Sequence, residues 1–262
     1  MTSGPLRVDR PDDGVVLLTL DLPERRNAMT EAMTSAWGSA VADIRGDASV
    51  RTVVVTGAGS AFCAGGDLGW LGVGSGLTVD ALRSRMLPFY GTWLSIRDLD
   101  VPTIAVINGP AVGAGLALAL ACDLRYAAPD AVLSVPFTAL GIHAGMATTW
   151  LLPEVAGLAV ARELLLTGRI VTGEEAVGMG LVNRVFPADG LLHAALAVAR
   201  SIAAKAPIAT RLTTVALREG HRSMADALRW EALAQPVTMA TEDLAEGLAA
   251  QRERRAPRFT GH

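Results

Sequence analysis

Apolar positions fall in short unbroken runs separated by Gly-rich turns, and these runs alternate with segments of helical period. Val15 to Leu20 (VVLLTL) and Arg51 to Thr56 (RTVVVT) read as strands. Between them Thr30 to Arg45 reads as a helix, with Thr30 as N-cap and Gly46 just past the end. Gly57 to Leu68 (GAGSAFCAGGDL) is a Gly-rich loop, and Gly69 to Gly76 is richer still. Val79 to Arg97 continues as a helix interrupted by Pro88 and Gly91. Val101 to Ile107 is a third strand that turns at Asn108-Gly109-Pro110. Gly113 to Cys122 then predicts a helix of small residues, followed by two short strands at Asp123 to Ala127 and Val132 to Val135. Strands alternating with helices indicate an α/β domain.

From Leu191 onward the pattern changes. Ala-rich amphipathic segments follow one another at Leu191 to Ala204, Ile208 to Arg218, Met224 to Ala234 and Glu242 to Arg254. No strand pattern interrupts them. The expected organisation is an α/β core over residues 1–206 and an all-helical region over 207–262. Helices appended to such a core commonly pack against another subunit, so an oligomer is expected.

Composition narrows the class. Of 262 residues, 51% are hydrophobic and 19% charged, which excludes a disordered chain. A net charge of −3 gives no basic excess for nucleic acid or an anionic membrane. Lys205 is the only lysine, which excludes a catalytic lysine elsewhere. Cys63 and Cys122 make no disulfide framework, and the polar N-terminal stretch lacks the apolar run of a signal peptide. A cytoplasmic protein is expected. Thr103 to Cys122 and Ala131 to Pro153 carry no charge, but Gly and Pro break both too often for a membrane span.

Several motifs fall away on spacing. Val53 to Gly59 (VVVTGAGS) is superficially like a dinucleotide-binding turn, but Ala61 and Cys63 fill the offsets where glycines are needed. His143, His193, His221 and His262 are scattered without metal-ligand spacing. Two Gly-rich segments remain, each following a strand: Ala61 to Leu68 (AFCAGGDL) and Asn108 to Asp123 (NGPAVGAGLALALACD). Their small residues leave backbone N–H groups uncovered, and the second opens a helix with its positive dipole end. Two such loops suit one developing oxyanion, each donor contributing about 3 kcal/mol in a transition state. Tight packing is the alternative use of the same glycines.

These segments resemble the crotonase superfamily, also called the enoyl-CoA hydratase/isomerase family. Leu22 to Met29 (LPERRNAM) is similar to its P-x-x-x-N-A-[LM] entry, and Ala61 to Leu68 to its F-x-A-G-x-D-[IL] loop. Asn108 to Asp123 keeps its N-G-x-x-x-G-x-G stretch and closing Cys-Asp. Thr241 to Phe259 resembles its C-terminal tail, with Gln251 where the family has Phe. The resemblance implies a spiral of ββα turns with C-terminal helices used in a homotrimer or dimer of trimers. It implies an acyl-CoA thioester as ligand, with coenzyme A arriving as part of the substrate and no cofactor bound permanently. The implied oxyanion donors are the N–H groups of Gly66 and Ala114. The implied coenzyme A contacts are Arg25, Arg26, Ala28, Ala64, Asp67 and Leu68, the arginines suiting phosphate. Asp67 reads better as a loop-fixing carboxylate than as a catalytic one.

The family's acid–base residues are missing. The two glutamates that its hydratases use fall at Ala117 and Phe137, beside Gly113 in the expected substrate pocket, and an Asp used by other members falls at Gly145. None of these side chains can transfer a proton. His143, in the turn L-G-I-H-A-G, is the candidate replacement, since imidazole titrates near neutrality. Asp80 and Tyr90 are weaker candidates. The expected function is an enoyl-CoA hydratase/isomerase-like enzyme that stabilises a thioester enolate. The alternatives are another reaction of the family, such as C–C cleavage or thioester hydrolysis, and a non-catalytic acyl-CoA binder.

Overall fold

The computed structural model describes residues 4–67, 69, 76–220 and 223–262. Its elements in chain order are β1 (Leu6–Asp12), β2 (Val15–Leu20), α1 (Glu31–Arg45), β3 (Thr52–Gly57), α2 (Val79–Leu94), β4 (Thr103–Ile107) and β5 (Ala111–Val112). There follow α3 (Ala114–Ala121), β6 (Leu124–Ala127), β7 (Val132–Ser134), α4 (Thr148–Thr167), β8 (Val171–Thr172), α5 (Gly173–Gly178) and β9 (Arg184–Val185). The chain ends with α6 (Leu191–Ala203), α7 (Pro207–Glu219), α8 (Met224–Met239) and α9 (Glu242–Glu253).

The larger sheet has the order β1-β2-β3-β4-β6-β9, and a smaller one has the order β5-β7-β8. From β2 to β9 the larger sheet is parallel. Every residue of β2, β3 and β4 is buried, as expected of parallel strands covered on both faces. On one side α6 lies across β3 and β4 through Leu191, Ala195 and Ala199. These residues recur every four positions on one helical face, and the alanines let the helix sit close to the sheet. Helix α1 buries Met33, Trp37, Ala40, Val41 and Ile44, again one helical face, and Thr30 Oγ1 caps it by accepting from the Met33 N–H. The Trp37 ring stacks on Trp93 of α2 at 5.0 Å between centroids, joining the two helices.

Three features departed from the sequence pattern. Strand β1 lies in the N-terminal stretch read only as polar; it is an antiparallel edge strand with its centre exposed, so pairing with β2 holds it, not burial. Pro11 and a register shift between Asp9 and Asp12 fit that edge position. Helix α4, over Thr148–Thr167, was not assigned from the sequence; it is broken at Gly157, whose backbone (φ 79°, ψ 162°) is not helical. Strands β8 and β9 have two residues each, too short to leave a periodic signal. Beyond Ala206 the described elements are the helices α7 to α9, while α6 packs on the sheet. Among the described residues no single helix is long and apolar enough to cross a membrane; only the pair α6 and α7, bent by 112°, passes that test together.

Backbone packs directly on backbone beyond the ends of β3 and β4. A Cβ on Gly109 would lie 2.1 Å from the Ser60 carbonyl oxygen, and one on Gly115 would lie 2.1 Å from that of Cys63. Hydrogen bonds fix the same seam: Val112 N–H donates to the Cys63 carbonyl at 3.0 Å, and Phe62 and Cys63 N–H both donate to the Pro110 carbonyl. Cys63 and Cys122 are free, buried thiols, and burial pushes each up to about 12.

Gly115→Ala forces methyl against carbonyl and should cost about 3 kcal/mol or more by urea unfolding. Gly91→Ala, on the exposed face of α2 with open space around it, should leave stability unchanged or raise it by up to about 1 kcal/mol. Equal effects of the two would contradict the packed seam. A thiol reagent at pH 8 should leave both cysteines of the native protein untouched and titrate them after unfolding; fast reaction of the native protein would contradict their burial.

Candidate functional site

Three loops leave the carboxyl ends of β2, β3 and β4, the edge where parallel sheets place ligands. Two asparagines tie them together. Asn27 is fully buried; its Oδ1 accepts from the Leu22 N–H, and its Nδ2 donates to the carbonyls of Ala58 and Ala61 at 2.9 and 2.8 Å. Asn108 Nδ2 donates to the carbonyls of Gly57 and Gly59 at 3.0 Å, and its Oδ1 accepts from the Gly57 N–H. Each amide thus satisfies backbone groups that the sharp turns leave open. Sequence reasoning quoted both residues within motifs but gave neither a role. The signal was available: a buried Asn beside a Gly-rich turn serves carbonyls that no ladder reaches.

The first two loops also pair as short parallel backbone. Ala64 N–H donates to the Arg26 carbonyl, and Met29 N–H to the Gly65 carbonyl, both at 2.9 Å. This brings Arg26, Ala28, Ala64 and Gly66 to one edge. Arg26 and Asn27 hold the left-handed backbone (φ 50° and 56°), a strained arrangement for two residues with side chains. Arg25 ends a short 3-10 turn at Pro23–Arg25 and pairs with Asp67. The other Asp67 oxygen, Oδ1, accepts from the Gly69 N–H at 2.8 Å, so the carboxylate fixes its own loop. A cleft of about 1140 Å³ opens beside Leu22, Arg25, Thr30 and Asp67. Leu68 lies outside the described residues.

The seam brings the second and third loops to the start of α3. Gly65 (φ 95°) has no room for a side chain: a Cβ would lie 2.6 Å from the Val112 carbonyl oxygen and 3.4 Å from the Ala114 nitrogen. Gly66 is therefore next to the residue that backs onto Ala114. Gly113, the N-cap of α3, has φ 55° and ψ −116°, which a residue with a Cβ rarely adopts, and no side chain caps the helix. The first N–H groups of α3, Ala114 foremost, have no partner within the helix. The Gly65 loop is thereby set against the first turn of α3.

Around these donors the side chains are apolar. Ala117 is fully buried one turn into α3, its N–H bonded to the Gly113 carbonyl at 3.0 Å. The Phe137 ring lies over Gly113, 3.7 Å from where a Cβ there would stand. Gly145 lies against Tyr90 of α2. His143 is exposed, with Nδ1 2.7 Å from the Ala144 carbonyl oxygen, an interaction within its own loop. Asp80 is exposed in the first turn of α2. The segment from Phe137 to Gly145 thus reaches Gly113 at one end and Tyr90 at the other, while His143 and Asp80 are both exposed. Among the described residues no group of three or more His, Cys, Asp or Glu is placed to hold a metal ion.

Known proteins carry the same architecture. The family model described as enoyl-CoA hydratase/isomerase matches residues 10–262. The probable enoyl-CoA hydratase EchA14 of Mycobacterium tuberculosis is 45% identical over 193 residues, covering 74% of this chain and 73% of its own. The mouse enoyl-CoA hydratase domain-containing protein 2, mitochondrial, is 38% identical over 257 residues, covering 96% of this chain and 86% of its own. The crystal structure of an enoyl-CoA hydratase from Bacillus anthracis superposes with a TM-score of 0.93 at 35% identity, covering 98% of this chain and 100% of its own. With a fold and a whole-chain match of this extent, the chain belongs to the enoyl-CoA hydratase/isomerase family, the crotonase superfamily.

Proposed function

We propose that the protein binds an acyl-CoA thioester and stabilises its enolate through the N–H groups of Gly66 and Ala114. The observation that carries this reading is the Gly65 contact, which sets the Gly66 loop directly against the Ala114 amide. When the α-carbon becomes electron-rich, charge moves onto the thioester oxygen. Fixed amide donors at a helix N-terminus then stabilise the charged form more than the neutral carbonyl, with no reorganisation cost. Coenzyme A lies along Arg25, Arg26, Ala28, Ala64 and Asp67, where the exposed guanidinium of Arg26 suits phosphate. Asp67 serves this edge by holding the loop and Arg25 in place.

The acid–base positions set the limits of the chemistry. Ala117, Phe137 and Gly145 hold no proton, and Phe137 puts an apolar ring where hydration needs an ordered water. Enolate-stabilising chemistry that does not add water fits these residues better than hydration. Catalytically silent binding is the second reading, favoured by the same apolar ring. His143, tied to its own loop carbonyl, is not needed by either.

The C-terminal helices form the assembly region in this reading, with residues 1–206 as the core. Helix α8 buries none of its residues and exposes Met224, Leu228, Leu233 and Val237, which supports contact between copies in a homotrimer or dimer of trimers.

The test is crotonyl-CoA with purified protein, following both binding and loss of the enoyl thioester. The ester should bind. Hydration should run on the order of 10⁴-fold below that of a family member holding both carboxylates, since general acid–base groups typically contribute 10²–10⁴-fold. Gly66→Pro should lower any residual thioester turnover by on the order of 10²-fold. Fast hydration would overturn the apolar-site argument; absence of CoA-ester binding would overturn the reading itself.

A further inference from the structure

One polar side chain faces the apolar end of the site and is used by nothing described so far. Tyr90, in the middle of α2, is half-buried, and its hydroxyl oxygen lies 2.5 Å from where a Cβ on Gly145 would stand. Among the described residues this hydroxyl has no hydrogen-bond partner. The Gly145 carbonyl beside it is already taken, accepting from Thr148 Oγ1 at 2.5 Å.

Its position is held from both sides. The segment Phe137 to Ala147 folds back on itself, with Leu140 and Ile142 N–H both donating to the Phe137 carbonyl. One end of this segment sets the Phe137 ring on Gly113; the other brings Gly145 to Tyr90. Met146 and Ala147 then take left-handed backbone (φ 55° and 51°), and Thr148 N–H bonds back to Gly145, fixing the glycine where it is. Helix α2 packs on α3, which carries Ala114 and Ala117. Helix α2, the 137–147 segment and the start of α3 are therefore neighbours, with the Phe137 ring on Gly113 and the Tyr90 hydroxyl on Gly145.

We propose that the Tyr90 hydroxyl donates a hydrogen bond to the acyl group and selects thioesters that carry an acceptor oxygen beyond the thioester carbonyl. This deepens the acyl-CoA reading above and rests on it. Methylenes of an unsubstituted chain would displace water from the hydroxyl and leave it unpaired, and sites with a stranded donor reject such ligands strongly. A hydroxyl or oxo group on the chain satisfies it. Gly145 is part of the device, because any side chain there would occupy the oxygen's place. Burial raises the phenol above its ordinary range, so it remains a neutral donor at pH 7.

The experiment is equilibrium binding of three esters of equal chain length: butyryl-CoA, 3-hydroxybutyryl-CoA and acetoacetyl-CoA. The native protein should bind at least one oxygenated ester about tenfold or more tightly than butyryl-CoA. In Tyr90→Phe that ratio should fall toward one. Gly145→Ala, which keeps the hydroxyl but displaces it, should lower the ratio as well. Near-ultraviolet circular dichroism on each variant checks that the fold is kept. Equal affinities in the native protein, or a ratio unchanged in both variants, would overturn the role of Tyr90 while leaving the acyl-CoA reading in place. Failure of all three esters to bind the native protein would overturn both.

Discussion

The site depends on two backbone segments approaching closer than any side chain permits. Residues 57–66 and 108–115 meet carbonyl against Cα, with Gly65, Gly109 and Gly115 at the contacts. A methyl group at Gly109 would stand 2.1 Å from the Ser60 oxygen, and at Gly115 the same distance from the Cys63 oxygen. No rotamer change relieves an overlap with main chain. The glycines are therefore fixed by geometry, and Asn27 and Asn108 are fixed with them, since the turns leave carbonyls and amides that only a side-chain amide reaches.

This constraint separates binding from chemistry. The donors proposed for a thioester oxygen are main-chain groups, so they would persist whatever side chains line the rest of the pocket. Acid–base residues sit on those side chains and can change without disturbing the frame. Ala117 and Phe137 fit that division: both are buried in a well-packed wall, and neither loosens the seam. A family match over the whole chain thus speaks to the frame and to thioester binding. It does not specify which proton moves, since that depends on side chains rather than on the frame.

Much of the fold was legible because burial leaves a pattern. Strands β2, β3 and β4 announce themselves as unbroken apolar runs, and α1 shows its cap at Thr30 and its buried face from Met33 to Ile44. Strand β1 was missed because an edge strand needs no apolar residues, and β8 and β9 because two residues carry no period. The Gly-rich motifs fall where backbone packs on backbone, since close approach demands glycine. The meeting of Tyr90 and Gly145 was not legible, because 55 positions separate them in sequence and neither residue alone signals the other. Likewise His143 is attractive by its place in the sequence, yet its ring is exposed and engaged within its own loop.

The central claim is that two main-chain amides, at Gly66 and Ala114, polarise a thioester carbonyl. The most direct measurement is difference infrared spectroscopy of acetyl-CoA labelled with ¹³C at the carbonyl, bound to the native protein. Two fixed donors should move the carbonyl stretch to lower frequency than in water, because they draw charge onto the oxygen more strongly than solvent does. A bound ester whose carbonyl frequency equals or exceeds the value in water would contradict the account.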